Sequence, residues 1–311
     1  MDDKFKKCYM KNFIEELMNN NFKNVYKNES LSKYNWFNLG GPAEILFKPE
    51  DSGQLSSFLK FVRGKNQIIN VLGAGSNTLI RDAGIEGITI KLSPKFSYLN
   101  LLKEDVIEVG AATLDKKLSD FASDHSLSGF EFLSCIPGSV GGGIKMNTGC
   151  YDGDISKILI SVEVMDLDGN KKEISNDKIK FSYRECDLSN QYIILSAKFK
   201  GKKGNKEEIK KKQTEYVARK KETQPTRVKT CGSTFKNPKN KKAWKLIKDS
   251  KCDQMYVGEA RVSDEHSNFF INSGKGTSSE IEELINKVKN QVFKNTGVNL
   301  ELEIKIIGNK K

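Results

Sequence analysis

Two glycine-rich segments carry the clearest chemical signal in the sequence. The first, Gly73-Ala74-Gly75-Ser76-Asn77, directly follows the apolar run 68–72. The second runs Ile136-Pro137-Gly138-Ser139-Val140-Gly141-Gly142-Gly143-Ile144-Lys145-Met146-Asn147-Thr148-Gly149. Glycine loses more backbone entropy on folding than any other residue, so such a stretch is costly to order. In return the backbone can approach a flat or anionic ligand closely, and successive N–H groups can form an anion nest. Alone, the first segment is either such a nest or a tight turn. It is not a dinucleotide fingerprint, because no third glycine follows at the required spacing and Thr78-Leu79-Ile80 opens no obvious helix. Two separate nests suit a long cofactor with a pyrophosphate in the middle.

Charge narrows the partners. The 311 residues carry 52 Lys+Arg against 40 Asp+Glu, a formal charge of +12. Only Arg63, Arg81, Arg184, Arg219, Arg227 and Arg261 are arginines. A nucleic-acid binder usually exploits the forked guanidinium, so this lysine excess argues against one. The lysine-rich stretches 200–221 and 236–251 read first as solvated helix faces, and otherwise as a funnel for polyanionic small molecules. An arginine inside a motif then marks a place needing planar, bidentate recognition. Cys8, Cys135, Cys150, Cys186, Cys231 and Cys252 have no metal-finger spacing and read as isolated reduced thiols. With His125 and His266 the only histidines, no metal site is expected. No apolar run reaches the roughly 20 residues of a membrane span, and the basic start at residues 1–7 lacks the apolar stretch of a secretory signal. A cytoplasmic protein with no nucleic-acid or membrane partner is expected.

Periodicity supplies the elements that must position these residues. Phe13, Ile14, Leu17 and Met18 have helical spacing, and residues 54–63 form a short helix with Leu55, Phe58, Leu59 and Val62 on one face. Strands are expected over 68–72, 85–90, 106–109, 158–165 and 192–199, with Asp168-Gly169 as a hairpin turn. A helix carries Leu114, Leu118, Phe121 and Ala122. A charged helix spans 203–222. Residues 279–295 form an amphipathic helix closed by Gly297, and 300–307 alternate as a final strand. The class is α+β, without the βαβ rhythm of a doubly wound sheet.

The order of motifs carries a family resemblance over nearly the whole chain. Asn38-Leu39-Gly40-Gly41-Pro42-Ala43, the two glycine segments, Ser182-Tyr183-Arg184, Gly232-Ser233-Thr234-Phe235-Lys236-Asn237-Pro238, residues 262–272 and residues 300–308 follow in sequence. In this the chain resembles the UDP-N-acetylenolpyruvoylglucosamine reductase family, flavoenzymes of bacterial cell-wall synthesis. The resemblance implies a two-lobed FAD-binding domain of the PCMH, vanillyl-alcohol-oxidase-like type and a C-terminal α+β substrate-binding domain. Expected units are an N-terminal helical segment (1–30), FAD lobes (31–92 and 93–200), the substrate domain (205–298) and a last strand returning to the FAD lobes (299–311).

The resemblance also implies an activity: NADPH reduces FAD, and the hydride passes to the enolpyruvyl ether of a UDP-sugar. Arg184 and Glu303 match the residues that stabilise the developing enolate, and Ser233 matches the proton donor. Read without the family, they are a surface ion-pair residue, an exposed strand position and a turn residue. The FAD contacts implied are Gly73, Ala74, Gly75, Ser76, Asn77, Thr78, Pro137, Gly138, Ser139, Gly142, Asn147, Gly149 and Tyr151. Arg227 and Asn237 are implied substrate contacts, and the protein is expected to be a monomer. His266 and Asn268 read as structural, and Cys231 as a small packing residue. Asn38, Cys150-Tyr151-Asp152-Gly153 and Lys305 depart from the family pattern, and the short stretch between Arg184 and Ser233 suggests the branch lacking an extra substrate-covering loop.

Overall fold

The computed structural model describes residues 12–310, apart from Met18, Asn21 and Asp152. Cys8, Met18 and Asp152 of the sequence reading lie outside the described residues. Residues 12–17 are helical and bury Phe13, Ile14 and Leu17.

The first lobe is a four-stranded sheet in the order Val25–Ser30, Pro42–Phe47, Ile85–Ile90, Ile69–Val71. Its first pair is antiparallel and the other two are parallel. Helix α1 (Ser52–Val62) covers it because Leu55, Phe58, Leu59 and Val62 recur on one face and are buried. The Asp51 carboxylate accepts the Gln54 amide at 2.7 Å and caps its start. Phe58 stacks on Phe47 of the sheet, with ring centroids 3.9 Å apart.

The second lobe is an antiparallel sheet in the order Lys171–Ser175, Leu159–Asp166, Tyr192–Lys200, Val106–Gly110, Leu99–Lys103. Its Asp166 carboxylate accepts the amides of Asp168 and Asn170, which closes the expected hairpin. The central strand Tyr192–Lys200 is buried on both faces. Ile194 and Phe199 enter the lobe's own core, whereas Ile193 and Leu195 join Ile45, Phe47 and Phe58 of the first lobe. This strand, with Met165 of its neighbour, thus fastens the two lobes together.

Helix α2 (Asp115–Asp124) and the short helix α3 (Val140–Lys145) belong to this lobe. So does α4 (Lys206–Thr223), whose Tyr216 lies in the second lobe's core and whose Gln213 amide donates to Ser119 of α2 at 2.7 Å. The sequence reading began the substrate domain at 205; by its packing α4 sits with the second lobe instead. The reason is visible in the helix itself. Most of its faces are charged, but Ile209, Gln213 and Tyr216 form one buried stripe.

The third unit combines α5 (Ala243–Asp249), the small sheet Tyr256–Val257, Ala260–Val262, Phe270–Asn272, and α6 (Ser278–Thr296). Thr277 and Glu280 form a capping box at the start of α6, and Gly297, at φ 70°, ends it. Its core takes in Phe37, Leu39 and Leu79 from the first lobe. Asp82 of that lobe accepts the Ser278 and Ser279 amides, each at 2.9 Å, and Arg81 clamps Glu282 through bonds of 2.9 and 3.0 Å.

The expected final strand over 300–307 is shorter. Lys305–Ile307 pairs parallel to Thr78–Ile80, Leu302 makes a single antiparallel bridge to Phe235, and Leu300 and Ile304 pack in the third unit's core. The alternation is real, since Leu300, Leu302, Ile304 and Ile306 all face the third unit's core, but the backbone changes pairing partner between Leu302 and Lys305. Leu79 joins the first lobe to that third core and is fully buried. Leu79→Ala should therefore lower stability by about 2–5 kcal/mol in urea unfolding. A loss below about 1 kcal/mol would show that this joint contributes little.

Candidate active site

The two glycine segments lie against each other. The Ser76 hydroxyl donates to the Pro137 carbonyl at 2.9 Å. Gly75 has φ +70°, and a Cβ there would sit 2.1 Å from the Tyr34 carbonyl oxygen, so no other residue fits this turn. Among the described residues, the amides of Ala74, Gly75, Ser76 and Asn77, and of Gly138 and Ser139 opposite, donate to no protein acceptor. Backbone donors left unpaired on two facing loops are what an anionic cofactor requires.

Beside the first loop opens a cleft of about 430 Å³, lined by Tyr34, Trp36, Asn38, Ala74, Lys91 and Arg227 among others. Lys33 and Lys229 add to its positive wall. Lys91 donates to the Gly73 carbonyl, and burial pushes its ammonium below the ordinary lysine range.

The second segment is partly helical. Residues 140–145 of it form α3, anchored by Val140 N–H to Thr113 O at 2.9 Å and Gly141 N–H to Ala111 O at 3.0 Å. Asn147, at φ 39°, spends its side chain on structure: its amide donates to the Ser182 carbonyl at 3.0 Å and its oxygen accepts the Ser156 amide at 3.1 Å. That bond carries the cradle to the Phe181–Ser182/Glu185–Cys186 hairpin, whose two-residue turn is Tyr183-Arg184.

Arg184 stands at φ 58°, a left-handed conformation that non-glycine residues rarely hold without a reason. Its Nε donates to Glu303 Oε1 at 2.8 Å, with side chains only 22% and 17% exposed. Burial raises the Glu303 carboxyl, opposed by Arg184 and then by Lys236 and Lys220. The backbone of Glu303 is held from two other directions. Its amide donates to Thr234 O at 2.9 Å, and its carbonyl accepts Asn77 Nδ2 at 3.1 Å. Thr234 adjoins Ser233, which bridges to Phe269. Asn268 fixes this segment by accepting from the Phe235 amide and donating to its carbonyl. The region of Ser233, the Arg184–Glu303 pair and the first glycine loop is therefore one connected site.

The other expected contact residues also make bonds within the protein. Asn237 uses its side-chain oxygen to accept the Ala243 amide at 3.0 Å, which caps α5. Arg227 lines the cleft beside Ala74. Tyr151 stacks on Tyr216, centroids 4.3 Å apart, and donates to that residue's carbonyl. Thr78 opens the strand Thr78–Ile80, and its carbonyl accepts the Cys231 thiol. Gly149 pairs with Asp154 in a small ladder, Gly142 lies within α3, and Lys305 donates its amide to Asn77 O.

Two lysines escaped the sequence reading. Lys220, on the supposedly solvated face, points inward to donate to Cys135 O at 2.7 Å, and its charge acts on Glu303. Its spacing to Ile209, Gln213 and Tyr216 continues the buried stripe of α4, a signal that the charge run concealed. Lys236 is the other. His266 Nδ1 accepts the Asn268 amide at 3.2 Å, and Cys231 is buried with its thiol pushed up to about 12 by desolvation.

Comparisons with known proteins decide the family. Residues 224–307 match the C-terminal domain of UDP-N-acetylenolpyruvoylglucosamine reductase, and residues 43–175 match an FAD binding domain. The UDP-N-acetylenolpyruvoylglucosamine reductase of Pelagibacter ubique is 48% identical over 280 residues, 89% of this chain and 92% of that one. That of Rickettsia bellii (strain RML369-C) is 44% identical, covering 91% and 93%. The chain belongs to the UDP-N-acetylenolpyruvoylglucosamine reductase family. The crystal structure of the Thermus caldophilus reductase superposes with a TM-score of 0.79 at 33% identity, covering 91% of this chain and 98% of that one. As a member of this reductase family, the chain is an FAD-dependent oxidoreductase with an FAD-binding domain followed by a C-terminal domain. Both glycine segments fall inside the FAD-domain match. Among the described residues, no helix is long and apolar enough to cross a membrane.

One buried charge remains behind the cradle. Asp115, first residue of α2, is 1% exposed, and neither carboxylate oxygen has a hydrogen-bond partner in the protein. A Cβ on Gly138 would lie 2.6 Å from Asp115 Oδ2, so glycine there makes room for this side chain. Desolvation raises the carboxyl from 3.8 to about 7. A raised carboxyl binds its proton more tightly in the folded chain. Its contribution to stability is therefore full below about pH 4, falls as pH rises to 7, and stays lost above. The span corresponds to about 4 kcal/mol at most. Asp115→Asn should flatten that part of the stability curve in urea unfolding series; parallel wild-type and variant curves would contradict it.

Proposed function

We propose that this chain reduces the enolpyruvyl ether of UDP-N-acetylglucosamine enolpyruvate to UDP-N-acetylmuramate, with Arg184, Glu303 and Ser233 serving the substrate half-reaction. The observation that carries this reading is the 2.8 Å Arg184–Glu303 pair, built onto the backbone of the Ser233-Thr234 segment. FAD, when bound across the glycine loops, supplies the vinyl carbon with a hydride taken from NADPH.

Arg184 commits Nε to Glu303, so its terminal nitrogens stay available for a substrate carboxylate. As negative charge spreads into that carboxylate, a fixed guanidinium in a partly desolvated site stabilises it more than it stabilises the substrate. Glu303 holds the guanidinium in place and keeps Arg184 in its left-handed turn. Ser233 donates the proton to the carbon beside the carboxylate. A serine hydroxyl is a weak acid, and the Lys220 and Lys236 ammonium groups near Glu303 offset the charge it leaves behind. The unpaired loop amides hold the cofactor diphosphate, and the basic cleft at Lys91 and Arg227 accommodates phosphate-bearing groups.

Ser233→Ala should slow reoxidation of the reduced enzyme by substrate about 10²–10⁴-fold, the scale of general-acid catalysis. Reduction by NADPH should be retained. Stopped-flow measurement of the two half-reactions separates them, and an equal loss in both would show that Ser233 is not the proton donor.

A further inference from the structure

The sequence suggested isolated thiols, but two of them touch. Cys135 Sγ and Cys150 Sγ lie 3.1 Å apart, although 15 residues separate them. Both also approach the Phe132 carbonyl, at 3.4 and 3.2 Å. Both side chains are half-buried, whereas Cys231 and Cys252 are fully enclosed. Among the described residues this is the one contact between two sulfurs.

We propose that Cys135 and Cys150 are a redox-active pair that closes into a disulfide under a peroxide oxidant and so cross-links the two ends of the cofactor cradle. The loop it would close contains Pro137, Gly138, Ser139, Gly142, Asn147 and Gly149, the whole second glycine segment. A disulfide needs sulfurs about 2.05 Å apart, so closure requires about 1 Å of approach. One partner ends the 3-10 turn Glu131–Cys135, and the other lies in the short ladder Gly149–Cys150.

The surroundings assign the chemical roles. The contact with Cys150 and the Lys220 ammonium favour the thiolate at Cys135, while the contact with Cys135 and burial raise Cys150. The Cys135 thiolate attacks one oxygen of hydrogen peroxide, breaking the O–O bond and releasing hydroxide, which takes a proton to become water. Cys150 then attacks the resulting sulfenic sulfur, forming the S–S bond and expelling a second water. The two thiols lose two electrons and two protons in all, and the peroxide takes them. A dithiol reverses the reaction by exchange. A cross-link spanning a glycine-rich segment restricts its mobile open forms, so the oxidised protein should release FAD more slowly.

The test oxidises the FAD-loaded enzyme with hydrogen peroxide, blocks remaining thiols in denaturant and digests it with trypsin without reductant. Cleavage at Lys145 divides the loop, so the disulfide appears as peptide 118–145 joined to peptide 146–157, two hydrogens lighter than their sum. Dithiothreitol separates them, and Cys150→Ser abolishes the linked species. Recovery of both cysteines alkylated, or Cys135 carried on to sulfinic acid without linkage, would overturn the pair. In parallel, FAD release is followed by its fluorescence. A several-fold, dithiothreitol-reversible slowing is expected in the oxidised enzyme but not in Cys150→Ser. Linked peptides with unchanged release would overturn the cradle effect. That effect rests on the FAD placement proposed above, whereas the linked peptides do not.

Discussion

The site depends on how Glu303 is held. This one residue is gripped by all three parts of the chain: Arg184 of the second lobe at its carboxylate, Asn77 of the first lobe at its carbonyl, and Thr234 of the third unit at its amide. A carboxylate this buried is unfavourable without a cation, and an arginine in a left-handed turn is unfavourable without a partner. Each makes the other tenable. The chain's return past the first lobe, with Lys305–Ile307 parallel to Thr78–Ile80, places Glu303 at that meeting point.

The electrostatics follow from the same arrangement. Most of the lysine excess is solvated, but the charges of Lys220 and Lys236 oppose the rise of the Glu303 carboxyl, and Lys91 and Arg227 line the cleft beside the first glycine loop. Positive charge therefore surrounds the places where phosphates and a carboxylate would sit. Asp115 is the exception. It lies directly behind the second glycine loop, and its high carboxyl keeps it from fully opposing an anion there near neutral pH.

Much of this was legible in the sequence, for identifiable reasons. Helices with a single apolar stripe, such as Ser52–Val62 and Ser278–Thr296, announce themselves through spacing and caps. The glycine segments announced the two facing loops with unpaired amides, and the order of motifs announced the family. What escaped was tertiary. Residues 300–307 alternate as a strand does and face one core, yet their backbone pairs first with Phe235 and then with Thr78–Ile80. The charge of Lys206–Thr223 hid a buried stripe that ends at Lys220. Asn147 and Asn237 sit in glycine-rich and serine motifs, and their spacing does not show that their side chains satisfy backbone groups. Nothing in sequence spacing could show that Cys135 and Cys150 touch.

The central claim is that Arg184 and Glu303 act as one unit, and a double-mutant cycle on the substrate half-reaction tests it most directly. Arg184→Gln and Glu303→Gln would be measured singly and together, by the rate at which substrate reoxidises the reduced enzyme. If the pair is a unit, removing either member disables the other, and the double variant loses far less than the product of the two single losses. Single losses that multiply would mean that the two side chains act independently, and the 2.8 Å contact would not be the foundation of the site.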